Sequence, residues 1–183
     1  YIQRMGSESK FDIIQVSVID NLSATASGAF VLTENALYTV ETWMLLFSRL
    51  KPDGIFTITR FYRARPFEHY RLMNICSDAL NNSGITDIRS HVMLIKCQQQ
   101  ERIEDSSGTG TLLISKAPFT EDDINTVDSL NGVFDFESVF TPNSVSDSVF
   151  IKLTSSAEER KKFNDAFRVN IHSPTDDKPF FFH

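Results

Sequence analysis

The stretch from Phe11 to Phe61 constrains the fold more than any other part of the sequence. FDIIQVSVID places Ile13, Ile14, Val16, Val18 and Ile19 in a near-continuous apolar run, the pattern of a parallel strand buried on both faces. Asp20 and Asn21 follow at once, and a loop of small residues, LSATASGAF, leads to a helix expected from about Glu34 to Leu50. Its apolar positions Leu37, Val40, Met44 and Phe47 recur at helical steps. Lys51, Pro52, Asp53 and Gly54 read as its stop, because proline cannot continue a helix and glycine accepts a left-handed exit. GIFTITRF is a second β-branched and aromatic strand. Strand, crossover helix and strand make a right-handed βαβ unit, and open α/β sheets bind ligands beyond the carboxyl ends of their strands. Those ends are Asp20–Asn21 and the Arg60 to Arg65 segment.

Downstream, Pro66 opens a helix expected to run to about Asn82, with Leu72, Met73, Cys76, Ala79 and Leu80 turned toward the sheet. HVMLIKC and TLLISK, expected as strands over about 90–98 and 111–116, are joined by a polar segment too short for a crossover helix, so they predict an antiparallel hairpin. After Pro118 the pattern changes. Thr120 caps a helix expected to end at Asn131-Gly132, VFDFESVF alternates as a short strand would, and two further helices are expected near 145–154 and 157–167. The division expected is 1–117 as an α/β unit and 118–183 as a mainly helical extension packed on it. Phe180, Phe181 and Phe182 are costly to leave in water, which predicts that the tail docks on the domain or runs on into further chain.

The chain's 183 residues are enough to bury a sizeable core. With 18 basic against 24 acidic residues and a net charge of −6, nothing favours nucleic acid or an anionic membrane. No run approaches the length of a membrane span. Cys76 and Cys97 lack the spacing of a metal or redox motif and read as reduced thiols, which suits a cytoplasmic compartment. His69, His91, His172 and His183 show no metal-ligand spacing.

Taken in order, FDIIQVSVID, LTENALYTVE, LKPDGIFTITRF and the terminal TDDKPFFF resemble the C-terminal half of spermidine-synthase-like proteins, a branch of the class I S-adenosylmethionine-dependent methyltransferase fold. The resemblance implies an α/β, Rossmann-like sheet with parallel central strands and an antiparallel hairpin at its edge. It also implies S-adenosylmethionine or decarboxylated S-adenosylmethionine as cofactor in a complete parent. The glycine-rich turn and the acidic strand end that hold this cofactor have no counterpart here. The expectation is therefore a domain fragment, inactive alone, whose partners are the missing N-terminal half or a second copy of the chain; a longer parent could carry a membrane segment elsewhere. Polyamine synthases of this branch carry Asp-Ser-Ser-Asp where this chain has Ser17-Val18-Ile19-Asp20, so only Asp20 keeps an acid. A hydroxyl cannot orient an ammonium group as an anion does, which argues against aminopropyl transfer.

Asp20 is thus the one candidate for a catalytic role, and the alternative is that Asp20 and Asn21 only shape a turn. Glu34 and Asn35 at the helix entrance can contact substrate or cap the helix, and Tyr38 can face the cleft or the core. Arg60, Arg63 and Arg65 form either an oxyanion site or a solvated cluster. Asp176 and Asp177 either fold back toward the site or hold a turn. The competing overall reading is a noncatalytic α/β scaffold that binds a partner.

Overall fold

A computed structural model describes residues 10–17, 36–98 and 106–181 of the chain. They form a mixed α/β fold built on a five-stranded sheet of order β1-β2-β4-β3-β5. The strands are β1 (Phe11–Val16), β2 (Leu50–Arg63), β3 (Val92–Gln98), β4 (Ser106–Ser115) and β5 (Phe136–Phe140). β1 and β2 are parallel, while β4 runs antiparallel to β2 and to β3, and β5 antiparallel to β3. β3 therefore points the same way as β2 although β4 lies between them.

The helices are α1 (Val40–Ser48), α2 (Phe67–Asn82), α3 (Glu121–Phe134), α4 (Ser148–Leu153) and α5 (Ala157–Ala166), with single 3-10 turns at Ala36–Tyr38 and Ile88–His91. Alternation along the strands puts Phe56, Ile58, Leu112, Ile114, Val92 and Leu94 on one face, all buried. They share one core with Trp43, Leu46 and Phe47 of α1 and with α2, whose Leu72, Met73, Cys76, Ala79 and Leu80 are fully buried. The α2 positions read from the sequence thus all pack. On α1, Val40 and Phe47 are buried as expected, but Trp43 carries more of the contact than Leu37 or Met44. Its ring meets Phe56 edge-on at 5.0 Å, and its indole N–H donates to the Leu37 carbonyl at 3.0 Å.

Several boundaries differ from the sequence reading for identifiable reasons. Lys51-Pro52-Asp53-Gly54 does not form a turn between helix and strand; it is an expanded bulge inside β2, which advances from Leu50 to Ile55 while β1 advances from Phe11 to Ile13. Proline is tolerated there because a bulge already leaves ladder positions unpaired. A Cβ on Gly54 would lie 2.8 Å from the Phe11 carbonyl oxygen, so the approach of β1 needs glycine. The parallel pair, expected at the centre of a complete sheet, stands at one edge of the strands among the described residues, with β1 outermost, and Ile13, expected to be buried, is 65% exposed. Val18 and Ile19 lie outside the described residues.

The hairpin expected at the edge is interior, since β5 pairs beyond β3; residues 118–183, read as a mainly helical extension, thereby contribute a strand to the same sheet. Asn131-Gly132 does not end α3. The helix continues to Phe134 and leaves through Asp135, at a left-handed φ of 56°, while Phe134 and Phe136 stack across the turn at 5.6 Å. An interior glycine costs about 1 kcal/mol of helix stability, which the capping box at Thr120 and Asp123 on the other end offsets. Among the described residues, no helix is long and apolar enough to cross a membrane.

Candidate functional site

The carboxyl ends of β1 and β2 are where an α/β sheet presents chemistry, and β2 delivers Arg60 and Arg63 there. Successive side chains of a strand point to opposite faces, so Arg60 falls on the helix-covered face and is only 3% exposed. A guanidinium stays charged at any accessible pH and must find partners when buried. Glu68, in the first turn of α2, supplies them: Arg60 Nε and Nη2 donate to Glu68 Oε2 at 3.1 and 3.0 Å. Arg60 Nη1 donates to the Tyr38 hydroxyl at 3.2 Å, and the guanidinium carbon lies 5.5 Å from the centre of the Tyr38 ring. Arg63 Nε stands 3.7 Å from the other Glu68 oxygen, so one carboxylate serves two arginines.

The C-terminal tail closes on this cluster. Phe181 is fully buried and stacks on Tyr38 at 4.3 Å, and its carbonyl accepts from Arg71 Nη1 at 2.8 Å. Arg71 Nε donates to the Asn170 carbonyl and Asn74 Nδ2 to the Ile171 carbonyl, at 2.9 and 2.6 Å. At the start of α1, Val40 N–H donates to the Pro174 carbonyl at 3.1 Å, and Thr39 Oγ1 donates to Asp176 Oδ1 at 2.6 Å while accepting from Thr42 N–H at 3.3 Å. The Asp176 N–H donates to Glu41 Oε2 at 3.1 Å. The expected docking of the tail is realised through Phe181, whereas Phe180 is 58% exposed and Phe182 lies outside the described residues.

Thr39 is therefore both the N-cap of α1 and an anchor for the tail. Thr39→Ala is expected to lower stability by about 2 kcal/mol, read from the urea midpoint, and to speed proteolysis beyond Asn170.

Of the residues singled out from sequence, the fold brings together Tyr38, Arg60 and Arg63 and, through Thr39, adds Asp176. Arg65 is exposed on the bend before α2, and Asp177 is exposed in the turn between Thr175 and Lys178. Asp20, Asn21, Glu34 and Asn35 lie outside the described residues. Ser17 stands exposed just past β1, accepting from Gln15 Nε2 at 3.4 Å. Sequence reasoning missed Glu68, whose signal was an acid in the first turn of a helix directly after three arginines. It also missed His69, which is buried beside Tyr62 with Nε2 3.2 Å from the Gly110 carbonyl and Nδ1 without a hydrogen-bond partner. A Cβ at Gly110 would collide with both rings, so glycine is required for β4 to pass.

Chemically, Arg60 is a buried cation engaged by a carboxylate and a phenol. Among the described residues at the strand ends, the Arg63 side chain stays 41% exposed. Burial pushes the Cys76 thiol up, away from thiolate reactivity. Among the described residues, no group of three His, Cys, Asp or Glu side chains could hold a metal ion. No protein-family model matches the chain, and a search of curated proteins finds no match.

Proposed function

We propose that the chain is the acceptor-side half of a Rossmann-like, S-adenosylmethionine-dependent transferase domain of the spermidine-synthase-like branch, inert until a glycine-rich half joins it. The observation that carries this reading is the order of elements: a parallel pair joined through α1, then α2, then a reversed hairpin laid beside β2. That is the succession the sequence resemblance implies for the fourth to seventh strands. The direction shared by β1, β2 and β3 supports it, as does the outer edge of β1, which pairs with no strand among the described residues. The partner proposed for that edge is the N-terminal half, or a second copy of the chain in its absence. Asp20 is the proposed acceptor-orienting carboxylate. Ser17 in place of the first acid favours methyl transfer over aminopropyl transfer.

The described residues do not fit the cofactor by themselves. Close approach of this cofactor needs a glycine turn between strand and helix, and among the described residues the positive-φ glycines are Gly84, after a helix, and Gly108, inside a strand. Titration calorimetry with S-adenosylmethionine is therefore expected to give no saturable heat with this chain and a one-to-one isotherm with an N-terminally extended one. Micromolar binding by the short chain, about 8 kcal/mol of affinity, would overturn the proposal.

A second reading, a noncatalytic partner-binding scaffold, is favoured by one observation: Tyr38 and Arg60 are engaged by Glu68 and Phe181. It predicts that the extended chain also fails to bind S-adenosylmethionine.

A further inference from the structure

Two arginines outside the Arg60 cluster share a cavity. Arg65 stands on the bend before α2 and Arg168 on the bend after α5; with Phe67, Phe167 and Val169 they line a cavity of about 330 Å³. Packing sets its shape. α5 ends at Ala166, and the chain that follows is tied to α2, where Arg71 Nε and Asn74 Nδ2 donate to the carbonyls of Asn170 and Ile171 at 2.9 and 2.6 Å. Phe67 and Phe167 meet edge-on at 6.4 Å, and the Tyr70 ring contacts them at 6.2 and 5.9 Å. Both phenylalanine rings are held in this way while each stays half-buried, so the cavity has an aromatic wall.

The charges at this wall are of one sign. Both guanidiniums are exposed, and among the described residues neither makes an ion pair or a side-chain hydrogen bond. The acids nearest to them along the chain are already engaged, Glu68 by Arg60 and Arg63 and Asp165 by Lys161 and His172. The net charge of −6 does not cancel the effect, because charges beyond about 8 Å are largely screened at physiological ionic strength. A guanidinium takes phosphate oxygens through its planar fork, and it also stacks on flat rings. Two of them beside an aromatic wall match a ring that carries a doubly charged anion. A cation would be repelled, and an uncharged ring would leave both guanidiniums to water.

We propose that this cavity binds a small aromatic phosphate monoester, its ring against Phe67 and Phe167 and its phosphate shared by Arg65 and Arg168. The site uses the arginine that the strand-end cluster leaves outside, and it holds whether or not an extended chain takes S-adenosylmethionine.

The probe is 2-naphthyl phosphate, whose two rings suit a cavity about twice the roughly 150 Å³ that admits benzene. Its fluorescence is expected to report saturable binding of one molecule per chain, with a dissociation constant of roughly 0.1–1 mM for about fifteen non-hydrogen atoms. 2-Naphthol keeps the ring without the charge and inorganic phosphate the charge without the ring; each should bind about tenfold more weakly or worse. Arg65→Gln and Arg168→Gln should each weaken 2-naphthyl phosphate about five- to tenfold and leave 2-naphthol unchanged. Neither should move the urea midpoint, because neither guanidinium has a partner to lose. Raising the salt from about 0.02 to about 0.5 M should weaken the phosphate ester more in the unaltered protein than in either variant. A glycine-flanked phosphotyrosine peptide should bind no tighter than phenyl phosphate. No saturable binding, equal binding of 2-naphthyl phosphate and 2-naphthol, a loss confined to one of the two arginines, or tighter binding of the peptide would each overturn the proposal.

Discussion

Glu68→Ala is expected to destabilise the protein by about 3–5 kcal/mol, measured as the fall in unfolding free energy in urea at pH 7. The size follows from what the substitution leaves behind. Arg60 is 3% exposed and cannot shed its charge, and Glu68 Oε2 accepts from two of its nitrogens. Removing the carboxylate takes the acceptor of two N–H groups away from a buried cation that keeps the Tyr38 hydroxyl and ring beside it. Arg60→Met in the Glu68→Ala background should recover most of the loss, because a long apolar side chain can follow the same path with no charge to compensate. A loss below about 1 kcal/mol in the single variant would show that water or another acceptor satisfies Arg60. Arg60 would then regain its standing as a ligand-binding group at the strand ends.

The elements were legible in the sequence where one periodicity dominated. The α2 positions from Leu72 to Leu80 are buried and the hairpin strands pair antiparallel as read, although α2 is buried nearly all round, Asn74, Ile75 and Ser77 included. The parallel pairing of β1 with β2 was legible too. What period cannot supply is position in the sheet. Ile13 and Ile14 both look buried in a string of apolar residues, yet Ile14 and Val16 pack against the core while Ile13, on the opposite face of β1, is left uncovered.

The bulge at Lys51 to Gly54 was equally hidden, since proline and glycine signal a turn unless a neighbouring strand is already known to accommodate them. Residue type alone left the site open. Three arginines after a strand read either as an oxyanion site or as a solvated cluster. Alternation sent Arg60 inward to Glu68 and left Arg63 half-exposed, a difference decided by a partner eight residues on. Phe181 could be expected to bury itself, but Tyr38 as its platform could not be read without the fold.

Lowering the pH from 7 to 4 is expected to remove about 3 kcal/mol of stability through His69 alone. Its imidazole is completely buried, and burial pushes its pKa from 6.5 down to about 4; the Gly110 carbonyl opposes the shift, and the charge of Arg60 adds to it. Because Nε2 faces a carbonyl oxygen, it carries the proton of the neutral ring, and Nδ1 has no neighbour to accept a second one. The folded state therefore binds that second proton less readily than the unfolded chain. Where the unfolded state holds more protons, stability rises with pH, so this contribution is complete above about 6.5 and lost as pH falls toward about 4.

Urea midpoints measured across that window for the unaltered protein and for His69→Phe separate this group from the carboxylates that titrate in both. The unaltered protein should lose about 3 kcal/mol more than the variant between pH 7 and 4. Parallel losses would mean that His69 is protonated in the fold, and that Nδ1 has found an acceptor or water that its present surroundings do not provide.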